Sequence, residues 1–117
     1  MLRAILYVSR SNLDSRTADE EVSLIIRVSV AWNTIAGITG ALAFTGAQFA
    51  QFIEGPAEEI SGLMQRLYQD NRHSQVSVIL DEEANQRRFS KWEMAYSGPS
   101  EPLAPVLGPL YRRHARH

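Results

Sequence analysis

Asn33-Thr-Ile-Ala-Gly-Ile-Thr-Gly-Ala-Leu-Ala-Phe-Thr-Gly-Ala-Gln-Phe-Ala-Gln-Phe-Ile-Glu-Gly55 decides the fold. Gly37 breaks a helical pattern, and Ile38 to Thr45 then reads as an apolar strand. Thr45-Gly-Ala-Gln48 contains glycine and is short enough for a hairpin loop, and Phe49 to Glu54 is the returning strand. Strand alternation puts Phe49, Gln51 and Ile53 on one face. Gln51 is out of character in such a run. Its amide carries two donor hydrogens and an acceptor oxygen, all of which need partners away from water. The sequence therefore predicts a polar partner for Gln51 on a neighbouring element.

Working outward, residues 3–9 form a short strand rich in β-formers, with Ile5, Tyr7 and Ser9 on one face and Ala4, Leu6 and Val8 on the other. Bulk on both faces predicts a central strand covered on both sides. Thr17-Ala-Asp-Glu20 is a capping-box pattern. Val22, Ile25, Ile26, Val28 or Ser29, and Trp32 then recur at helical spacing. Beyond Gly55, Pro56 suits a first helical position, and Ile60, Leu63, Met64 and Leu67 mark a buried stripe. His73 to Leu80 reads as a fourth strand, Asp81 to Arg88 as a charged connection, and Phe89 to Tyr96 as a fifth strand by its alternation. The order β-α-β-β-α-β-β predicts an α+β, ferredoxin-like sandwich, with a five-stranded mixed sheet and two helices on one face. In that arrangement the strands of Tyr7 and Gln51 are expected to be adjacent and parallel at the sheet centre. Residues 1–98 would form the domain, and 99–117, interrupted by Pro102, Pro105 and Pro109, a C-terminal extension with one short helix and a basic tail.

Composition narrows the function. A chain of 117 residues has room for one core. Its net charge of −1 gives no field favouring nucleic acid or an anionic membrane. With no cysteine, thiolate catalysis, thiolate metal sites and disulfides are excluded. No run has membrane-spanning length and the N-terminal apolar core is too short for a signal peptide, so a cytoplasmic protein is expected.

Several short elements occur together: Tyr7-Val-Ser9, Asn33, Gly37-Ile-Thr-Gly40, Phe49-Ala-Gln51, Glu54-Gly55, Arg66, Asp70-Asn-Arg72-His73, Arg87-Arg-Phe89 and Trp92-Glu-Met94. In this order and spacing the chain resembles the BLUF family of flavin-binding blue-light sensors. The resemblance implies a flavin held between the two helices, FAD being the usual one; no adenine-specific contact is legible that would separate it from FMN or riboflavin. It implies that Tyr7 is the electron donor and Gln51 the switch beside the flavin ring. Asn33 would bond the ring edge, and Arg66, Asp70, Arg72 and His73 would lie near the far edge or the ribityl and phosphate chain. Trp92 and Met94 would pass the change outward. The chain departs from the family at Trp32, where a polar residue is common. Only about twenty residues follow Gly98, so no effector domain is expected within this sequence, and the output would pass to a downstream signalling protein, through a homo-oligomer, or through a segment absent from this chain.

Each residue has a plainer reading. Tyr7, Trp92 and Met94 could be core, Asn33 a helix C-cap, Arg66 and Asp70 a surface ion pair, and Asp81-Glu82-Glu83 a solvated turn. The competing function on the same layout is an acylphosphatase-like enzyme using Ser9-Arg-Ser-Asn12 as its phosphate loop, and a third is a regulatory module without flavin.

Overall fold

A computed structural model describes residues 1–90 and 95–97. Its elements are β1 (Leu2–Ser11), α1 (Ala18–Ala36), β2 (Thr39–Phe44), β3 (Gln48–Pro56), α2 (Ala57–Gln69), β4 (His73–Ala84) and β5 (Ala95–Ser97). The fold is α+β. Four strands pair antiparallel in the order β4-β1-β3-β2, and the three-residue β5 runs parallel to β2 on its outer side. The strand expected over Phe89–Tyr96 is corrected: Phe89 and Ser90 lie in a bend and turn, residues 91–94 fall outside the described residues, and pairing is found only at Ala95–Ser97.

The strands of Tyr7 and Gln51 are adjacent, as expected, but antiparallel rather than parallel. The reason is topological. The α1 crossover returns β2 in the direction of β1, and β3, hairpin-linked and so antiparallel to β2, inserts between them. Within this register Tyr7 faces Gln51 directly, and Gln51 also faces Leu42 of β2.

Alternation divides the core. Ile5, Tyr7 and Ile53 pack with Ile60 and Met64 of α2. Leu42, Phe44 and Phe49 pack with Ala18 and Val22 of α1. Both helices therefore cover one face of the sheet. Ala4, Leu6, Ala41, Ala43, Ala50 and Phe52 form the cluster on the opposite face.

Two glycines of the Gly37–Gly40 stretch have separate tasks. Gly37 ends α1 in the left-handed region, with φ 71°, and its N–H bonds the carbonyl of Asn33. Gly40 sits where a Cβ would lie 2.0 Å from the Phe52 carbonyl oxygen, so only glycine lets β2 and β3 meet there.

Several local expectations change. Thr17 caps α1 with no side-chain bond to the helix backbone; its hydroxyl reaches Glu21 at 3.4 Å, so the capping box does not form. Pro56 is the last residue of β3 and precedes the first helical residue, Ala57. Asp81 to Glu83 are strand residues of β4, not a turn, and Asp81 takes a bidentate grip from Arg3 at 2.9 and 2.7 Å. Edge strands tolerate such charges because they block pairing with other chains. In α1, Val28 and Trp32 are about half and mostly exposed rather than core, because that face of the helix borders a cavity instead of the sheet.

Candidate functional site

That cavity, about 250 Å³, lies between the two helices on the sheet face they cover. The sheet supplies Tyr7, Leu42, Phe49 and Gln51 to its lining. Ile25, Val28, Trp32 and Asn33 come from α1, and Leu63, Arg66 and Leu67 from α2. Asp70, Arg72 and His73, where α2 turns into β4, complete the wall. All seven binding and photoactive positions expected from the sequence thus line one cavity. Trp92 and Met94 lie outside the described residues.

Tyr7 and Gln51 are both buried, and the Tyr7 hydroxyl donates a hydrogen bond to Gln51 Oε1. The cross-strand register makes this contact possible, since directly opposed residues share a face. Burial, and then the negative charge of Asp70, push the Tyr7 phenol well above its ordinary pKa. Tyr7 is therefore a neutral donor, and the polar partner predicted for Gln51 is this phenol.

Asn33 lies in the last turn of α1, nearly fully buried, rather than after the helix. Its carbonyl accepts from Ile38 N–H at 2.9 Å, while Gly37 is the C-cap. The Arg66–Asp70 pair does not form. Asp70 leaves the helix in an extended conformation, and its carboxylate takes the Arg72 guanidinium at 2.5 Å, which holds its carboxyl below the usual range. Arg66 instead places its guanidinium 5.9 Å from the centre of the Trp32 ring, bridging the two helices at the cavity.

His73 is fixed from both sides. Nε2 lies 2.5 Å from the Leu67 carbonyl, which only accepts, so Nε2 carries the hydrogen. In the neutral ring Nδ1 then accepts from the Ser9 hydroxyl at 2.8 Å. The ring stands edge-on to Tyr7, with centroids 6.0 Å apart. Ser9 was missed as a site-supporting residue, although its alternation with Tyr7 put it on the same face.

The phosphate-loop alternative fails on geometry. Ser9, Arg10 and Ser11 belong to β1, and the N–H groups of Ser11 and Asn12 are already given to the carbonyls of Ala47 and Arg72. No phosphate cradle remains there.

Residues 2–95 match the family described as sensors of blue light using FAD, BLUF. The chain belongs to the BLUF family. Among curated relatives it is 30% identical over 91 residues to the blue light- and temperature-regulated antirepressor BluF of Escherichia coli, covering 78% of this chain and 22% of that protein. It is 27% identical over 93 residues to the photoactivated adenylate cyclase subunit beta of Euglena gracilis, covering 80% of this chain and 11% of the cyclase. The chain thus spans less than a quarter of the length of these relatives. Among solved structures, the dark state of the BLUF protein BlrB superimposes with a TM-score of 0.81 at 33% identity, covering 96% of this chain and 83% of that one. The described residues contain no helix long and apolar enough to cross a membrane.

The cavity suits the cofactor of this family. A flavin has an apolar ring end, a ring edge of alternating donors and acceptors, and a polar or anionic tail. Apolar side chains from both helices, the amides of Asn33 and Gln51, and the guanidinium groups of Arg66 and Arg72 supply matching chemistry in one space.

Proposed function

We propose that this BLUF chain is a blue-light photoreceptor in which Tyr7 and Gln51 form the photoactive pair. The observation that carries this reading is the hydrogen bond from the Tyr7 hydroxyl to Gln51 Oε1 at the floor of the interhelical cavity. When bound, a flavin supplies blue absorption and an excited state able to take an electron from a phenol. A phenol that has lost an electron is a strong acid, and Gln51 Oε1 is the acceptor already in place for the Tyr7 proton. Once the electron also returns to Tyr7, a proton given back from the other end of the amide would restore the phenol and leave Gln51 with its donor and acceptor roles rearranged. In a buried site each unsatisfied bond costs about 1–3 kcal/mol, so such a rearrangement biases a two-state structure by an amount of that order.

Asn33 and Gln51 would hold the polar ring edge. Arg66, Asp70, Arg72 and His73 would border the far edge and the tail, with His73 acting through its shape because both its nitrogens are engaged within the protein. The antiparallel sheet and its helices are the scaffold, ferredoxin-like with β5 as a fifth strand. FAD is the family's cofactor, and a relative, Klebsiella pneumoniae BlrP1, has been solved with FMN. The chain itself is non-enzymatic in this reading and passes its signal to a partner protein through contacts that change in light.

Purified protein from flavin-replete cells should be yellow. Its absorption should shift slightly to the red under blue light and recover in darkness, and the extracted chromophore identifies the flavin. Colourless protein, or yellow protein with no reversible shift, would refute the proposal.

A further inference from the structure

On the sheet face away from the cavity, Glu54 is 1% exposed and accepts three hydrogen bonds. The Arg88 N–H reaches Oε1 at 2.8 Å, the Phe89 N–H reaches Oε2 at 2.6 Å, and the Thr39 hydroxyl reaches Oε2 at 3.1 Å. Three donors on two oxygens is the pattern an ionised carboxylate satisfies. Arg87 adds a second grip: its guanidinium bonds the Gly37 carbonyl at 2.6 Å, the Thr39 hydroxyl at 3.0 Å and the Glu54 carbonyl at 3.3 Å. The Arg88 guanidinium lies 5.4 Å from the centre of the Phe52 ring, and Phe89 packs on the same ring with centroids 5.4 Å apart.

Residues 87–89 belong to no helix or strand, so side chains hold them. The points they grip are close in sequence to the cavity wall. Glu54 is on β3 with Gln51, three residues on, and Gly37 caps the turn of α1 that carries Asn33. The elements that carry Asn33 and Gln51 are therefore both held by the Arg87–Phe89 segment.

We infer that Glu54 is a positioning residue for the light response, its carboxylate tying Arg87–Phe89 to β3 so that a change at Gln51 alters the hold on the chain leading to residues 91–97. The inference rests on the photoreceptor reading proposed above. Its physical basis is the steepness of hydrogen bonding: carboxylate bonds of 2.6 and 2.8 Å weaken sharply with small shifts in distance or angle, and β3 is the rigid body that carries both ends. Nothing local in the sequence announces this contact, because Glu54 is 34 and 35 residues from its backbone donors Arg88 and Phe89.

The test is amide hydrogen exchange of flavin-loaded protein in darkness and under blue light, with the absorption shift recorded on the same samples. In the wild type, exchange at Arg88 and Phe89 should differ between the two states. Glu54→Gln keeps the side chain's size but turns an NH2 toward donors. It should keep the red shift, lose dark protection at Arg88 and Phe89, and lose the light-minus-dark difference across residues 87–97. If Glu54→Gln does not fold, Thr39→Val, which removes one donor to the carboxylate, should reduce both the dark protection and the light-minus-dark difference. A wild type whose Arg88 and Phe89 amides exchange identically in both states despite a normal red shift would overturn the inference alone. So would a photocycling variant that keeps the full difference. A wild type with no red shift would overturn the photoreceptor reading and this inference with it.

Discussion

Gln51 and Glu54 lie three residues apart on β3, both almost fully buried, and alternation sends them to opposite faces of the sheet. On the helix face, Gln51 meets a neutral phenol beside a cavity. Its side chain has a donor end and an acceptor end of nearly equal size, so two bonding arrangements fit one space. On the far face, Glu54 offers acceptors only, and backbone and hydroxyl donors from two segments converge on it. One site is built to be rearranged and the other to hold. The difference teaches that a strand can carry a switch and a clamp together, provided each keeps to its own face.

Changing the switch should have the largest functional effect. Gln51→Leu removes both ends of the amide, and flavin-loaded protein should show no light-induced red shift while still binding its chromophore, as read by absorption. Changing the far face should instead cost stability. Phe52 is completely buried beneath Arg88 and Phe89, and Phe52→Ala should lower the unfolding free energy in urea by about 4 kcal/mol, the usual range for a lost core ring. A smaller effect is expected at Ser9, on the helix face. Ser9→Ala leaves His73 Nδ1 without its donor and should cost about 1–2 kcal/mol in the same assay.

The smallest effect is on pH dependence. Burial pushes the Glu54 carboxyl above the ordinary glutamate value, with the bonds from Phe89 and Thr39 and the charge of Arg87 opposing. Between the ordinary and the raised value, the folded chain holds a proton that the unfolded chain has released. This stabilisation is fully present below the ordinary value and is lost as pH rises through the raised one. Glu54→Gln should remove that decline from urea midpoints measured across the glutamate range, and an unchanged slope would assign it elsewhere. Asp70 has the opposite sign, because Arg72 lowers its pKa: its contribution is present above the ordinary aspartate value and lost as pH falls through the lowered one.

What the sequence disclosed follows from periodicity. Alternation in β1 and β3 grouped Tyr7 with Ile5 and Gln51 with Ile53, and the helical stripe of α2 put Ile60 and Met64 in the core, because both signals are local. The antiparallel direction of β1 and β3 needed the hairpin and the crossover to be considered together. Thr17 and Glu20 matched a capping pattern, yet Thr17 adopts φ −120° and ψ 3°, outside the extended region usual for that motif. Asp81–Glu83 looked like a loop from charge alone, although an edge strand accommodates charge as readily. The Arg66–Trp32 stacking and the Glu54 clasp depend on contacts between distant segments, which no spacing rule reveals.

The pairing of Tyr7 with Gln51 is the centre of the account, and Tyr7→Phe tests it with the loss of a single oxygen. Flavin-loaded Tyr7→Phe should remain yellow and give a flat light-minus-dark absorption difference under blue light. A reversible red shift of wild-type size in that variant would contradict the account.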